Sequence, residues 1–167
     1  MPADAESRKP STGLIDRLFF PMIGKAGKNA PKVKRRADAP LFPIFLKLHG
    51  RPCLVVGAGR VGQSKLQSLI QAGAQVRVVS PQATPGVARL AREKKIVWLR
   101  RKFTARDLDG MLLVVVATSS SSVNKQVFEQ ARRRGVLCNA VDDPKSCDFY
   151  YPAVVRRGNF QIAISTG

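Results

Sequence analysis

Long apolar runs are missing from this chain. The longest, Met111 to Ala117, falls far short of the roughly 20 residues a bilayer-spanning helix needs, so no membrane span is expected. The N-terminal region offers no secretory core either, because its one apolar patch, Leu18 to Ile23, is short and interrupted by Pro21. A cytoplasmic location follows as the expectation. Cysteine is sparse: Cys53, Cys138 and Cys147 are an odd number without CxxC spacing, which argues against a disulfide framework or a zinc site. Cys53 and Cys138 lie inside apolar runs and read as small buried hydrophobes, whereas Cys147 reads as exposed. The single histidine, His49, precedes the first expected strand, so a Ser-His-Asp triad, a histidine general base and a metal site all lack candidates.

Acidic residues are few as well: 11 Asp and Glu stand against 29 Lys and Arg, a net charge of +18. Such a surface attracts polyanions, whether nucleic acid, anionic lipid or a small molecule with several carboxylates. Residues 1–40 carry 9 of the bases and 4 of the acids, so most of the excess lies beyond them. Aromatics are 7% of the chain and no nucleic-acid motif accompanies the charge, so nucleic acid is not the expected partner.

What is present suits one domain: 167 residues, 44% of them hydrophobic. Residues 1–40 hold five of the eleven prolines and the basic stretch Lys32 to Arg36 without sustained periodicity, and read as a basic, disordered extension. Within it, Leu14, Ile15, Leu18 and Phe19 fall at helical spacing, so Gly13 to Ile23 reads as a short amphipathic turn. From Leu41 to Gly167, β-rich runs alternate with helical segments. Strands are expected at 53–56, 75–80, 96–99, 111–118 and 136–141, and helices at 61–72, 84–94 and 123–134, with a helical turn near 105–108. Strands joined by helical crossovers predict an α/β, Rossmann-like doubly wound parallel sheet of order 3-2-1-4-5. Residues 151–155 and 160–165 flank Arg156-Arg157-Gly158-Asn159 and read as an added antiparallel hairpin.

Gly57-Ala58-Gly59-Arg60-Val61-Gly62 is a complete GxGxxG placed between the first strand and the first helix. Gly57 permits the tight turn, Gly59 lets the backbone approach a pyrophosphate, Gly62 lets helix and strand pack closely, and the helix N-terminus faces the anion. The second strand ends in Ser80-Pro81-Gln82, without the acid that holds ribose hydroxyls, which leaves NAD and NADP both open. Ser80 and Gln82 are candidate ribose contacts, and Arg60 either flanks the pyrophosphate or meets a 2′-phosphate. At the end of the fourth strand, Thr118 is the favoured cofactor contact, while Ser119 to Ser122 serve equally well as a helix cap. Asp142 and Asp143 end the fifth strand beside the same crevice, and Asp142 either faces the site or forms a turn before Pro144.

In this order, these residues resemble the precorrin-2 dehydrogenase, or siroheme synthase N-terminal, family. The resemblance covers 41–167. It rests on Leu41 to Leu46 as an entry strand, Val55 to Val61 with Lys65, Ala72-Gly73-Ala74, Val78 to Pro81, Val116-Ala117-Thr118, Val123-Asn124, Cys138 to Asp142 and Tyr151-Pro152-Ala153. It implies NAD-dependent oxidation of precorrin-2 to sirohydrochlorin, with sirohydrochlorin ferrochelatase activity in members that also insert iron. By the same resemblance Asp142 is the catalytic residue, Gly57, Gly59, Arg60, Val61, Gly62, Pro81 and Gln82 contact the cofactor, and Lys145, Arg156 and Arg157 assist an anionic tetrapyrrole. The chain departs from the family pattern at Ser64, at Ser119-Ser120 and in the basic extension. The family also continues past the match to Ile162–Ser165 into segments that dimerise, so a truncated chain, mainly monomeric and with weak turnover, is expected, and a homodimer once that segment is present. The competing reading is a non-catalytic, NAD-sensing regulatory module, which needs the glycines but not Asp142.

Overall fold

The computed structural model describes residues 40–165. The expected amphipathic turn at Gly13–Ile23 and the basic stretch Lys32–Arg36 lie outside the described residues. All elements named below belong to the compact unit that begins at Phe42.

Five parallel strands form one sheet: β1 (Pro52–Ala58), β2 (Gln75–Ala83), β3 (Val97–Leu99), β4 (Leu113–Val116) and β5 (Leu137–Ala140), in the order β3-β2-β1-β4-β5. Their crossovers are helices α1 (Arg60–Gln71), α2 (Pro85–Arg92) and α3 (Ser121–Arg134), with a short 3-10 turn at Ala105–Leu108 between β3 and β4. Successive strand side chains point to opposite faces, and the core divides accordingly. Cys53 and Val55 pack with Leu66 and Leu69 of α1 and Val87 of α2, whereas Leu54 and Val56 pack with Val127 and Ala131 of α3 and with Leu108. Residues Leu113 to Val116 of β4 are all buried, as continuous apolar runs are at the centre of a sheet covered on both sides.

Helix ends obey local chemistry. Thr84 caps α2, its hydroxyl accepting from the Val87 N–H at 3.3 Å ahead of Pro85, and Ser120 caps α3 by accepting from the Val123 N–H at 3.4 Å. Gly135, left-handed at φ 66°, ends α3.

The strand expected at 111–118 contracts to Leu113–Val116: the Met111 N–H still bonds back to the Leu108 carbonyl of the 3-10 turn, while the flanking Leu112 and Ala117 each keep one backbone bond to β1, at the Pro52 and Val56 carbonyls. Leu41 to Leu46 is not a strand: no described strand pairs with it, and Phe42, Ile44 and Phe45 are exposed. The C-terminal hairpin is present as β6 (Ala153–Arg157) and β7 (Phe160–Ile164), turned at Gly158 (φ 57°). It forms a separate two-stranded ribbon with every residue exposed, including Val154, Val155, Phe160, Ile162 and Ile164.

Candidate dinucleotide site

A cleft of about 850 Å³ runs along the carboxyl ends of the strands. Its floor is the β1–α1 turn, Gly57 to Val61. One arm is formed by Val79, Ser80 and Pro81 of β2 with Lys102 and Phe103 from the loop after β3, and the other by Ala117 to Ser120 after β4 with Val141 and Asp142 after β5. The strand order reverses at β1, and that is where open α/β sheets bind ligands.

Two glycines of the fingerprint are required by the protein's own packing. Gly57 has φ 99°, and a Cβ there would lie 2.7 Å from the Ala117 carbonyl carbon. Gly62 packs against Gly57, and a Cβ there would meet the Gly57 carbonyl group. Gly59 is different: its φ is −74°, and among the described residues a Cβ would meet no atom beyond its own chain neighbours within 4 Å. Nothing in the fold demands glycine at that position, yet it lines the cleft. That cradle fits a phosphate group drawn close to the backbone. Gly59 is also the N-cap of α1; no side chain caps this helix and its first turn holds no acid, so the leading N–H groups and the positive end of the helix dipole face the cleft.

Of the sequence candidates, Gly57, Gly59, Arg60, Val61, Ser80, Pro81, Thr118 and Asp142 are brought together in this cleft. Gly62 is not among its lining residues, since it packs helix against strand, nor is Gln82, which lies exposed further along β2. Ser80 donates its hydroxyl hydrogen to the Gln82 carbonyl at 2.6 Å, which leaves the hydroxyl oxygen free only to accept, and its own carbonyl accepts from Trp98 Nε1 at 3.0 Å. The Thr118 hydroxyl is likewise engaged, donating to Asn124 Oδ1 at 2.6 Å, while Asn124 Nδ2 donates to the Thr118 carbonyl at 3.2 Å. This pair fastens the start of α3 to the end of β4.

The two neighbouring acids after β5 separate cleanly. Asp143 accepts from the Ser146 hydroxyl at 2.7 Å and so organises the turn at Pro144–Ser146. Asp142 has φ 66°, a left-handed conformation that Asp tolerates better than most residues, in a turn closed by the Asp143 N–H to the Ala140 carbonyl at 3.2 Å. It is exposed and lines the cleft. The loop that follows is held by buried Asn139, whose Nδ2 donates to the Phe149 carbonyl at 2.8 Å, and by Asp148, which accepts from the Cys138 N–H at 3.0 Å. Cys147, expected to be exposed, is half-buried because its thiol donates to the Ala140 carbonyl at 3.2 Å. Lys145, Arg156 and Arg157 are exposed and absent from the lining of this cleft.

Sequence reasoning missed Lys102 and Phe103. The signal was their position directly after β3, on the same sheet edge as Ser80. Their loop is rigidly held: Asp107 is buried and accepts from Arg101 Nη1 at 2.8 Å and Nη2 at 2.5 Å, and from the Thr104 N–H at 2.8 Å. Burial alone pushes the Asp107 carboxyl up, but the hydrogen bonds from Arg101 and Thr104 outweigh it and hold the group below the usual carboxylate range.

A parallel sheet of order 3-2-1-4-5 with a glycine turn at its switch point defines a Rossmann-like, dinucleotide-binding class of protein. Within that class the chain belongs to the family described as "Putative NAD(P)-binding", whose model matches residues 44–153. It is 40% identical over 125 residues to siroheme synthase 1 of Serratia proteamaculans (strain 568), covering 75% of this chain and 26% of that protein. It is 42% identical over 125 residues to the siroheme synthase of Neisseria meningitidis serogroup C (strain 053442), with the same coverage. The chain thus spans about a quarter of the length of these curated relatives. Among solved structures, the one titled "SirC, precorrin-2 dehydrogenase" superimposes with a TM-score of 0.66 at 28% identity, covering 75% of this chain and 62% of that one. No helix among the described residues is long and apolar enough to cross a membrane.

Proposed function

We propose that this chain is the NAD-dependent oxidoreductase part of a siroheme-forming enzyme, cytoplasmic in location, which oxidises precorrin-2 to sirohydrochlorin. One observation carries the reading: a single cleft joins the Gly57–Val61 turn on its floor to the carboxylate of Asp142 on one arm. The similarity to siroheme synthases and to a precorrin-2 dehydrogenase supports the choice of substrate.

Bound NAD supplies a hydride acceptor. The chain's own residues do the rest. Gly59 and the N-terminus of α1 seat the pyrophosphate, Pro81 and the Ser80 hydroxyl border the adenosine ribose, and the wall at Thr118–Ser120 borders the opposite half of the dinucleotide. Loss of a hydride from the macrocycle leaves a proton to be removed. Asp142, exposed at the edge of the cleft, is positioned to take it as a general base. Asp143 is held by Ser146 and has no part in this. Iron insertion into the product is the further family activity for which Asp142 is also the candidate. Two regions, 1–40 as a basic extension and 41–167 as the nucleotide-binding domain, form part of the same reading. So does homodimer formation, which the exposed apolar residues of the β6–β7 ribbon support.

The test is an anaerobic assay of NADH formation from precorrin-2 generated in place, with NAD binding measured alongside. It is run on this chain and on a version extended beyond Gly167. Turnover that Asp142→Asn abolishes while NAD still binds is the expected result. NAD binding without NADH formation in either version would reject the dehydrogenase in favour of a nucleotide sensor.

A further inference from the structure

The arm of the cleft formed by β2 and the loop after β3 has the chemistry of an anion site. In doubly wound sheets the end of the second strand meets the adenosine ribose, and an acid there selects the unphosphorylated dinucleotide by holding its hydroxyls and repelling a 2′-phosphate. This chain has Ser80 at that position, and among the described residues lining the cleft Asp142 is the one acid, on the opposite arm.

Three consecutive bases, Arg100, Arg101 and Lys102, follow β3, and the structure gives each a different task. Arg100 stacks over the Trp98 ring, its guanidinium carbon 4.3 Å from the ring centroid. Arg101 is clamped in two hydrogen bonds to Asp107. Lys102 alone of the three lines the cleft, and it has no ion pair among the described residues. Arg60, the first residue of α1, lines the same cleft and is likewise without an ion pair there. The clamp on Arg101 and the Thr104–Asp107 capping box hold the stretch of chain that carries Lys102 at the cleft.

We infer that Lys102, assisted by Arg60, is a specificity-determining residue that accepts the 2′-phosphate of a phosphorylated dinucleotide, so that the cleft takes NADP as well as NAD. The inference rests on the dinucleotide-binding reading above and extends it to the choice of cofactor. Lys102 would act as a point charge with rotatable donors and Arg60 as a planar fork, both suited to a phosphate dianion.

Calorimetric titration of the full chain with NAD+, NADP+, 2′,5′-ADP and 3′,5′-ADP tests this. The two diphosphates carry equal charge and differ in where the second phosphate sits. The expected results are NADP+ binding within about tenfold of NAD+, 2′,5′-ADP binding more tightly than its isomer, and Lys102→Gln weakening NADP+ about tenfold more than NAD+. Equal binding of the two isomers would show diffuse attraction to a basic surface and overturn the inference. So would an equal effect of Lys102→Gln on both dinucleotides, or NAD+ binding with NADP+ excluded by more than about a hundredfold. In that last case the function proposed above stands. Failure of both dinucleotides to bind would remove that function and this inference together.

Discussion

Replacing each fingerprint glycine by alanine separates what the fold needs from what a ligand needs. At Gly57 the new residue must hold φ 99°, costing about 1–2 kcal/mol for an L-residue, and its Cβ would sit 2.7 Å from the Ala117 carbonyl carbon. Forced overpacking adds about 1–3 kcal/mol, so Gly57→Ala is expected to lower stability by about 2–5 kcal/mol. At Gly59 the arithmetic nearly cancels. Alanine is a poorer N-cap than glycine by about 0.5–1 kcal/mol, while its stiffer unfolded chain returns about 0.4–1 kcal/mol. Gly59→Ala should therefore unfold within about 0.5 kcal/mol of the parent in urea, followed by the fluorescence of Trp98, the one tryptophan. Its methyl group would nevertheless project where no atom of the other described residues lies within 4 Å, into the space assigned to the pyrophosphate. Losing even one charge-assisted hydrogen bond to the α1 N-terminus weakens binding about tenfold or more, readable by calorimetry with NAD+. If Gly59→Ala destabilised the chain as much as Gly57→Ala, or bound NAD+ like the parent, the assignment of the cradle would be wrong.

Asp107→Ala should lower stability by about 2 kcal/mol at neutral pH, because it removes both the Arg101 clamp and the cap at Thr104. Because the folded carboxyl titrates below its unfolded value near 3.9, that contribution is present above about pH 4 and disappears as pH falls through the folded value; parent and variant urea midpoints should therefore converge in acid. Burial pushes the Cys53 thiol up to about 11 and the Cys138 thiol up to about 12, with Asp148 adding to the latter. Both should resist alkylation at pH 8 in the native chain and react on unfolding, which mass spectrometry of the labelled peptides would show; rapid native labelling of Cys138 would contradict the buried β5. The same upward shifts favour the folded state fully below an unfolded thiol value near 8.5, and that advantage is lost as pH rises through the folded values. Urea midpoints should accordingly decline above about pH 9.

Much of this molecule was legible in one dimension, for reasons that particular residues make plain. The GxGxxG at Gly57–Gly62 must bridge strand and helix, β-branched runs such as Val114 to Val116 have little choice but a buried strand, and Ser120 with Gly135 marks both ends of α3. From these alone the doubly wound sheet and its strand order could be read, because right-handed crossovers leave few alternatives. Leu41 to Leu46, an entry strand by the family resemblance, misled, since an apolar run becomes a strand only where a neighbour offers unpaired hydrogen-bonding groups, and no described strand pairs with it.

Decisions among chemically equivalent residues were taken by the tertiary structure. Asp142 and Asp143 are the same side chain one position apart, and a left-handed turn sends one to the cleft while Ser146 claims the other. Arg100, Arg101 and Lys102 form one basic cluster in sequence, yet a ring, a buried carboxylate and an open cleft divide them. Gly59 and Gly62 belong to one motif, but only packing shows that the second is kept small by a neighbouring backbone while the first borders open space. Periodicity, turn chemistry and helix caps act over a few residues, so the sequence alone determined the class of fold and the place of its glycine turn. Which side chains meet across the sheet edge depends on contacts between segments far apart in the chain, and those exist only once the sheet has formed.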